Sequence, residues 1–335
     1  MTTQVTRRAV SAGLGALFGA ASARPALSQA PERVTYLTPF GFLIDYAETM
    51  YGTSGGFFAK QGLDLVNEGG KGSAFGIQQL TAGNVLISRT GGTDLLKAYV
   101  RDPQLIAIAG VYPKDLFWVI SHRDKPIQGS ADLAGKTVGV ISVGGATENL
   151  LDMMLAKASI PKSSVSREAA GNAPSAFELV KAGRLSGYIA THLTVHRLRS
   201  AGQPIHAWCI DEVAPSPGDL YVTTKRTVEE RPETLVRFLR GVDATLAAIG
   251  ATADTPALIA SMSKLYDIPE TKSPDRGVAS LDFARTNFAA VHRAKLAVAP
   301  ATFVSARDLM VAAGIIPEPK DDGYFTDAIR KKAFG

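Results

Sequence analysis

The chain has 335 residues, 46% hydrophobic, 20% charged and 7% aromatic, a size for about two domains and a composition that excludes collagen and a mostly disordered chain. Its one cysteine, Cys209, excludes an intrachain disulfide or a multi-cysteine metal cluster. The net charge is +5, but Arg7, Arg8 and Arg24 fall in the first thirty residues, which hold no Asp or Glu, so the remainder carries only +2 and no nucleic-acid partner is expected.

The opening segment reads as an export signal. Arg7-Arg8 precede an almost uncharged Ala/Gly/Leu-rich run from Ser11 to Ala23, too short to span a bilayer, and small-residue cleavage sites follow around residues 23–30. The arginine pair gives residues 1–30 the look of a twin-arginine signal, so the expected address is the periplasm.

From Glu32 onward, short β-branched runs alternate with amphipathic stretches, the pattern of βα units around a largely parallel sheet. Strands are expected at Arg33–Leu37, Leu63–Asn67, Val85–Ser88 and Leu105–Val111. Helices are expected over Asp45–Gln61, over Ser73–Leu80 with Ser73 as the cap, and from Gly92. A second set has strands at Phe117–Ser121, Thr137–Ile141, Gly187–Ala190 and Ile205–Ile210, with helices at Ala146–Ala158, Ser175–Ala182 and from Thr191 or His192 to Ser200. Asp219–Thr223 reads as a strand crossing back, after which helices dominate.

Several segments carry a family resemblance. Gly56-Phe57-Phe58-Ala59-Lys60-Gln61-Gly62-Leu63-Asp64-Leu65, Gly70-Lys71-Gly72-Ser73-Ala74, Gln79-Leu80-Thr81-Ala82-Gly83 and Asp132-Leu133-Ala134-Gly135-Lys136-Thr137-Val138 occur in the order seen in type II periplasmic solute-binding proteins. The branch resembled binds nitrate, sulfonates, taurine and thiamine pyrimidine precursors. The likeness spans Arg33 to Thr224, with Ser186-Gly187 standing where an acidic residue is usual. The resemblance implies an α/β fold of two Rossmann-like lobes with mixed sheets, joined by a hinge of crossing strands. Lobe 1 is expected over 32–116 and 220–335, lobe 2 over 117–219. It also implies a monomeric, non-catalytic subunit of an ABC importer that delivers a small molecule to a membrane permease.

Such a cleft is lined by the carboxyl ends of strands, where helices begin and present unpaired N–H groups. Candidate ligand contacts at three such ends are Gly72 and Ser73; Thr90 and Gly91; and Ser142, Gly145 and Thr147. Arg89 is expected at a strand end, either as a bidentate clamp on a sulfonate or carboxylate or as an interlobe salt bridge. Phe40, Phe42, Asp45 and Tyr46 follow the first strand, and their aromatics are suited either to a planar ring or to lobe packing. Thr191 and His192 follow the strand Gly187–Ala190. His192 and His196 share a helix face, but Leu193, Thr194 and Val195 lie between them without a Glu, so a neutral hydrogen-bonding His192 is expected rather than a metal ligand. No cofactor is expected. The ligand reads as an aromatic or alkyl organic anion, a sulfonate or carboxylate; the second reading is a thiamine pyrimidine precursor, or an exported enzyme related to pyrimidine-precursor synthases. Against that enzyme, Cys209 stands alone where such synthases carry a cysteine-rich motif.

Overall fold

The computed structural model describes residues 1–2 and 30–335, so 3–29 of the expected export signal over 1–30 lie outside the described residues. Pro31–Gly335 forms one compact unit built on two five-stranded sheets.

The first sheet contains β1 (Glu32–Thr38), β2 (Leu63–Gly69), β3 (Ile87–Gly91), β4 (Leu105–Gly110) and β10 (Asp219–Thr224), in the order β2-β1-β3-β10-β4. The second contains β5 (Phe117–His122), β6 (Thr137–Val140), β7 (Ser166–Ala169), β8 (Gly187–Thr191) and β9 (Ile205–Cys209), in the order β7-β6-β8-β5-β9. Each sheet is parallel except around one strand. β10 runs antiparallel to β3 and β4, and β5 runs antiparallel to β8 and β9. Those two strands are the ones that have just crossed over, through 111–116 and 210–218. The strand order and the paired crossings are those of the type II periplasmic binding protein fold. β4 is buried throughout, which its unbroken apolar run anticipated.

Two strand expectations need correction. The third strand is not Val85–Ser88 but Ile87–Gly91, so Arg89 and Thr90 lie inside a buried strand rather than beyond its end. The register explains this: Ser88, Arg89, Thr90 and Gly91 pair with Val222 back to Asp219 on β10, and that late antiparallel strand holds three extra residues extended. Strand β7 was not anticipated at all. It is a polar edge strand whose four residues show no alternation of apolar and polar faces.

Helices cover both sheets. α1 (Ala47–Ser54), α2 (Ser73–Thr81) and α3 (Gly92–Tyr99) belong to the first, and α4 (Ala146–Lys157), α5 (Phe177–Lys181) and α6 (His192–Ser200) to the second. The return comprises α7 (Lys225–Glu230), α8 (Pro232–Ala251), α9 (Thr255–Ser263), α10 (Pro274–Arg293), α11 (Pro300–Ala312) and α12 (Ala328–Phe334). It does more than complete the first sheet. Phe303 and Met310 of α11 share a buried core with Leu150, Met153 and Met154 of α4, and α10 packs on α6 through the stacked rings of His196 and Phe283, 4.1 Å apart.

Gly92 fixes the junction between α3 and the second crossing. Its N–H donates to Gly218 O at 3.1 Å, and a Cβ there would stand 2.5 Å from Pro217 O and 2.8 Å from Pro217 Cβ. Because the hydrogen bond holds the two backbones together, a methyl group has no room to retreat. Gly92→Ala is expected to destabilise the protein by about 1–3 kcal/mol, as overpacking typically does. A urea titration with an unchanged midpoint would show that the crossing yields freely.

Candidate functional site

The carboxyl ends of β1, β3, β6 and β8 face one another between the sheets. A Cβ on Gly91 would lie 3.9 Å from the Ala146 Cβ, which brings the start of α3 against the start of α4. The Lys97 ammonium donates to Gly144 O and Asn149 Oδ1, both at 3.4 Å, and Asn149 Nδ2 donates to Asp94 Oδ1 at 3.3 Å. One side of the cleft is therefore bridged by side chains from both sheets.

Arg89 occupies the floor, 1% exposed. Its Nε donates to Asp219 Oδ2 at 2.7 Å, and its Nη1 donates to Asp45 O at 2.7 Å and to Glu48 Oε1 at 3.2 Å. The guanidinium carbon lies 4.7 Å from the Tyr46 ring centre and 5.1 Å from that of Tyr112. Tyr221 OH donates to the same Glu48 Oε1 at 3.2 Å. Burial pushes Glu48 above the usual carboxylate range, and the Arg89 charge opposes that shift. This geometry corrects the expectation of a free bidentate clamp. Nε and Nη1 are engaged by two carboxylates and a carbonyl, which is the salt-bridge reading of this residue, while Nη2 has no hydrogen-bond partner among the described residues.

The far wall comes from α6 and α10. His192 is 8% exposed, and its Nε2 meets Asn287 Nδ2 at 2.8 Å. With the amide as donor, Nε2 accepts and the ring proton sits on Nδ1, which is buried and has no partner. Burial holds His192 below its ordinary range, so the ring is neutral near pH 7. Arg197 Nη2 donates to Ser280 Oγ at 2.9 Å and stands 3.5 Å from Glu270 Oε1. Tyr112, 5% exposed, sets its ring 6.0 Å from that of His192, and its hydroxyl is buried without a partner. Asp45 Oδ1 shares that condition. Burial first and the Asp45 carboxylate second raise the Tyr112 hydroxyl. Unpaired buried polar atoms are uncommon in folded proteins, and each is costly unless something binds it.

The structure thus brings Asp45, Tyr46, Arg89 and His192 together and sends other expected residues to other tasks. Phe40 is 46% exposed, whereas Phe42 packs on Tyr266 at 4.9 Å and lines the core of the first sheet. Ser73 is not a cap: Gly72 holds that position at φ 104°, and the Ser73 hydroxyl accepts from Gly91 N at 3.3 Å and bonds the Asp94 carboxyl. Thr147 closes its own loop by accepting from Ile141 N at 3.0 Å, beside exposed Ser142 and half-buried Gly145. Thr191 is tied to Asn172, whose Oδ1 accepts its N–H at 3.0 Å, and His192 N–H donates to Leu116 O at 2.9 Å. The first two N–H groups at the start of α6 are therefore taken, although Thr191 makes no side-chain cap bond. Thr90 keeps a buried, unpartnered hydroxyl. Residues the sequence reading missed are Glu48, Tyr112, Arg197, Asp219, Glu270, Phe283 and Asn287. Only Tyr112 carries a local signal, as a lone polar-tipped aromatic just past an all-apolar strand.

The fold is shared with solved proteins of low sequence identity. One is the ligand-binding component of an ABC-type import system from Staphylococcus aureus, solved with zinc bound (TM-score 0.62, 12% identity, 90% of this chain and 99% of that one). Another is the periplasmic aliphatic sulphonate binding protein SsuA from Escherichia coli (TM-score 0.62, 15% identity, 90% and 97%). A third is the desulfurization enzyme DSZB (TM-score 0.55, 13% identity, 90% and 98%). No curated protein sequence matches the chain significantly. The chain is similar to ABC-type periplasmic ligand-binding proteins, and an enzyme shares the architecture too. The sequence model of the family described as NMT1/THI5 like matches residues 44–257, well over half the length, and the chain belongs to that family.

Proposed function

We propose that this protein is the solute-binding subunit of an ABC importer, exported to the periplasm, which captures one small organic molecule between its two sheets and presents it to a membrane permease. The observation that carries the reading is the group of unpartnered buried atoms, Tyr112 OH, His192 Nδ1 and Asp45 Oδ1, contributed by both halves of the chain at the carboxyl ends of the strands. Residues 32–116 with 220–335 form one lobe and 117–219 the other, and bending at the two crossings opens and closes the site. The working unit is a monomer, and no helix among the described residues is long and apolar enough to cross a membrane.

The binding is non-catalytic in this reading. Cys209 is buried, and burial raises its thiol above the ordinary range, an environment opposite to that of an activated nucleophile. Of the two ligand classes expected from the sequence, the organic anion rested on Arg89 and on three helix starts. With that charge met by Glu48 and Asp219, the geometry favours the nitrogen-bearing class to which a thiamine pyrimidine precursor belongs.

The test is mass spectrometry of small molecules released from the purified protein, followed by thermal melts with each identified compound. A true ligand at 100 times its dissociation constant is expected to stabilise the protein by about 2.7 kcal/mol and to be recovered unchanged. Chemical conversion of the bound compound would replace the importer reading with the enzyme one.

A further inference from the structure

We propose that the site selects a positively charged ligand: a small organic cation with N–H donors, of the amine or amidine class, whose charge is received by Asp45. The proposal rests on the importer reading only for the premise that a ligand lies between the sheets.

Charge arithmetic is the first support. Four carboxyl groups, Asp45, Glu48, Asp219 and Glu270, face two guanidinium groups, Arg89 and Arg197. Arg89 is bound to Glu48 and Asp219, and Arg197 to Glu270. The Asp45 side chain is left without a cation of its own, because Arg89 reaches only its backbone carbonyl. An entering anion would meet this surplus directly, whereas a cation would offset it, and like charges in a site of low dielectric repel strongly.

The second support is independent of charge. Tyr112 and His192 are each more than nine-tenths buried, their ring centres lie 6.0 Å apart, and each keeps an unpartnered polar atom, as Asp45 does at Oδ1. The Asp45 backbone carbonyl accepts from Arg89 Nη1 at 2.7 Å, and the Arg89 guanidinium carbon lies 5.1 Å from the Tyr112 ring centre. Asp45 itself is half-buried, with Oδ1 enclosed. His192 Nδ1–H offers a donor, so the ligand carries an acceptor atom in addition to its cationic nitrogen. The amide of Asn287 enforces that polarity by holding Nε2 as the acceptor.

Three molecules of one shape test the charge selection on the full chain: benzamidinium, benzamide and benzoate, carrying one positive, no and one negative charge. Calorimetric titration is expected to rank their affinities in that order. Asp45→Asn is expected to weaken benzamidinium about tenfold or more while leaving benzamide within about threefold, as loss of a charge-assisted hydrogen bond should. The ranking is read on the unmodified protein, so it stands even if the variant fails to fold. Benzoate binding more tightly than benzamidinium would overturn the proposal and leave the importer reading intact. Failure of all three to bind would also overturn it, and the importer reading would then stand or fall on whether any compound is released from the purified protein.

Discussion

Arg89→Ala is expected to destabilise the ligand-free protein by about 3–5 kcal/mol, the usual consequence of removing one partner of a buried ion pair. Glu48 is the reason. Its side chain is 0% exposed, its Oε2 already lacks a partner, and Arg89 is the charge that offsets its burial. Asp219, 29% exposed, reaches water and suffers less. Arg89→Lys is expected to fall between, because one ammonium cannot serve Asp219, Glu48 and Asp45 O from the separate directions that Nε and Nη1 provide. Adding Glu48→Gln to Arg89→Ala is expected to recover part of the loss, since the stranded carboxylate is then gone. Urea titrations of the empty proteins measure all three. An unchanged midpoint in Arg89→Ala, together with lost ligand affinity, would restore Arg89 to the role of ligand clamp.

The same residue shows how far the sequence is legible. The starts of α3, α4 and α6 could be read because glycines and hydroxyl residues punctuate the chain locally, within a few positions of the apolar run they introduce. The two-sheet plan could be read because β4 and β8 are short apolar runs bounded by turns and helices. What Arg89 touches could not be read: Glu48 is 41 residues away and Asp219 is 130 residues away, and their meeting depends on β10 pairing with β3. The same crossing strand lengthened β3 and drew Arg89 from an expected strand end into its interior. Glu270, Phe283 and Asn287 were invisible for a related reason. They lie on the helical return, and only the packing of α10 on α6 makes them a wall of the cleft. Local signals mark where helices begin, whereas the identity of a side chain's partner is decided by topology.

Asp115 gives the fold a pH dependence set at the hinge. It lies in the first crossing, where its N–H donates to Ser216 O at 3.1 Å, its Oδ1 accepts from Phe117 N at 3.1 Å and its Oδ2 accepts from Ser216 Oγ at 3.2 Å. Those bonds join the two crossings. Burial, reinforced by Asp219 and Asp211, pushes the Asp115 carboxyl up to about 8, well above the value of about 3.9 for an unfolded chain. Between those values the folded state holds a proton that the unfolded state has released. Stability from this group is therefore complete below pH 4 and is lost as the pH rises through about 8. His192 acts with the opposite sign: its lowered value means that the unfolded chain takes up a proton below about pH 6.5 that the folded ring refuses. Between pH 6.5 and 8 the Asp115 contribution is expected to fall by about 1–2 kcal/mol, in the same direction as other carboxyls that burial raises, Glu48, Asp211 and Glu270. Asp115→Asn retains the shape and an acceptor for Phe117 N–H but cannot ionise, so its stability is expected to fall less across that window and to exceed that of the unmodified protein at pH 8. Urea titrations of both proteins at half-unit steps measure the difference. A gap between them that does not change with pH would mean that Asp115 is ionised in the folded hinge, with Lys114 rather than a proton meeting its charge.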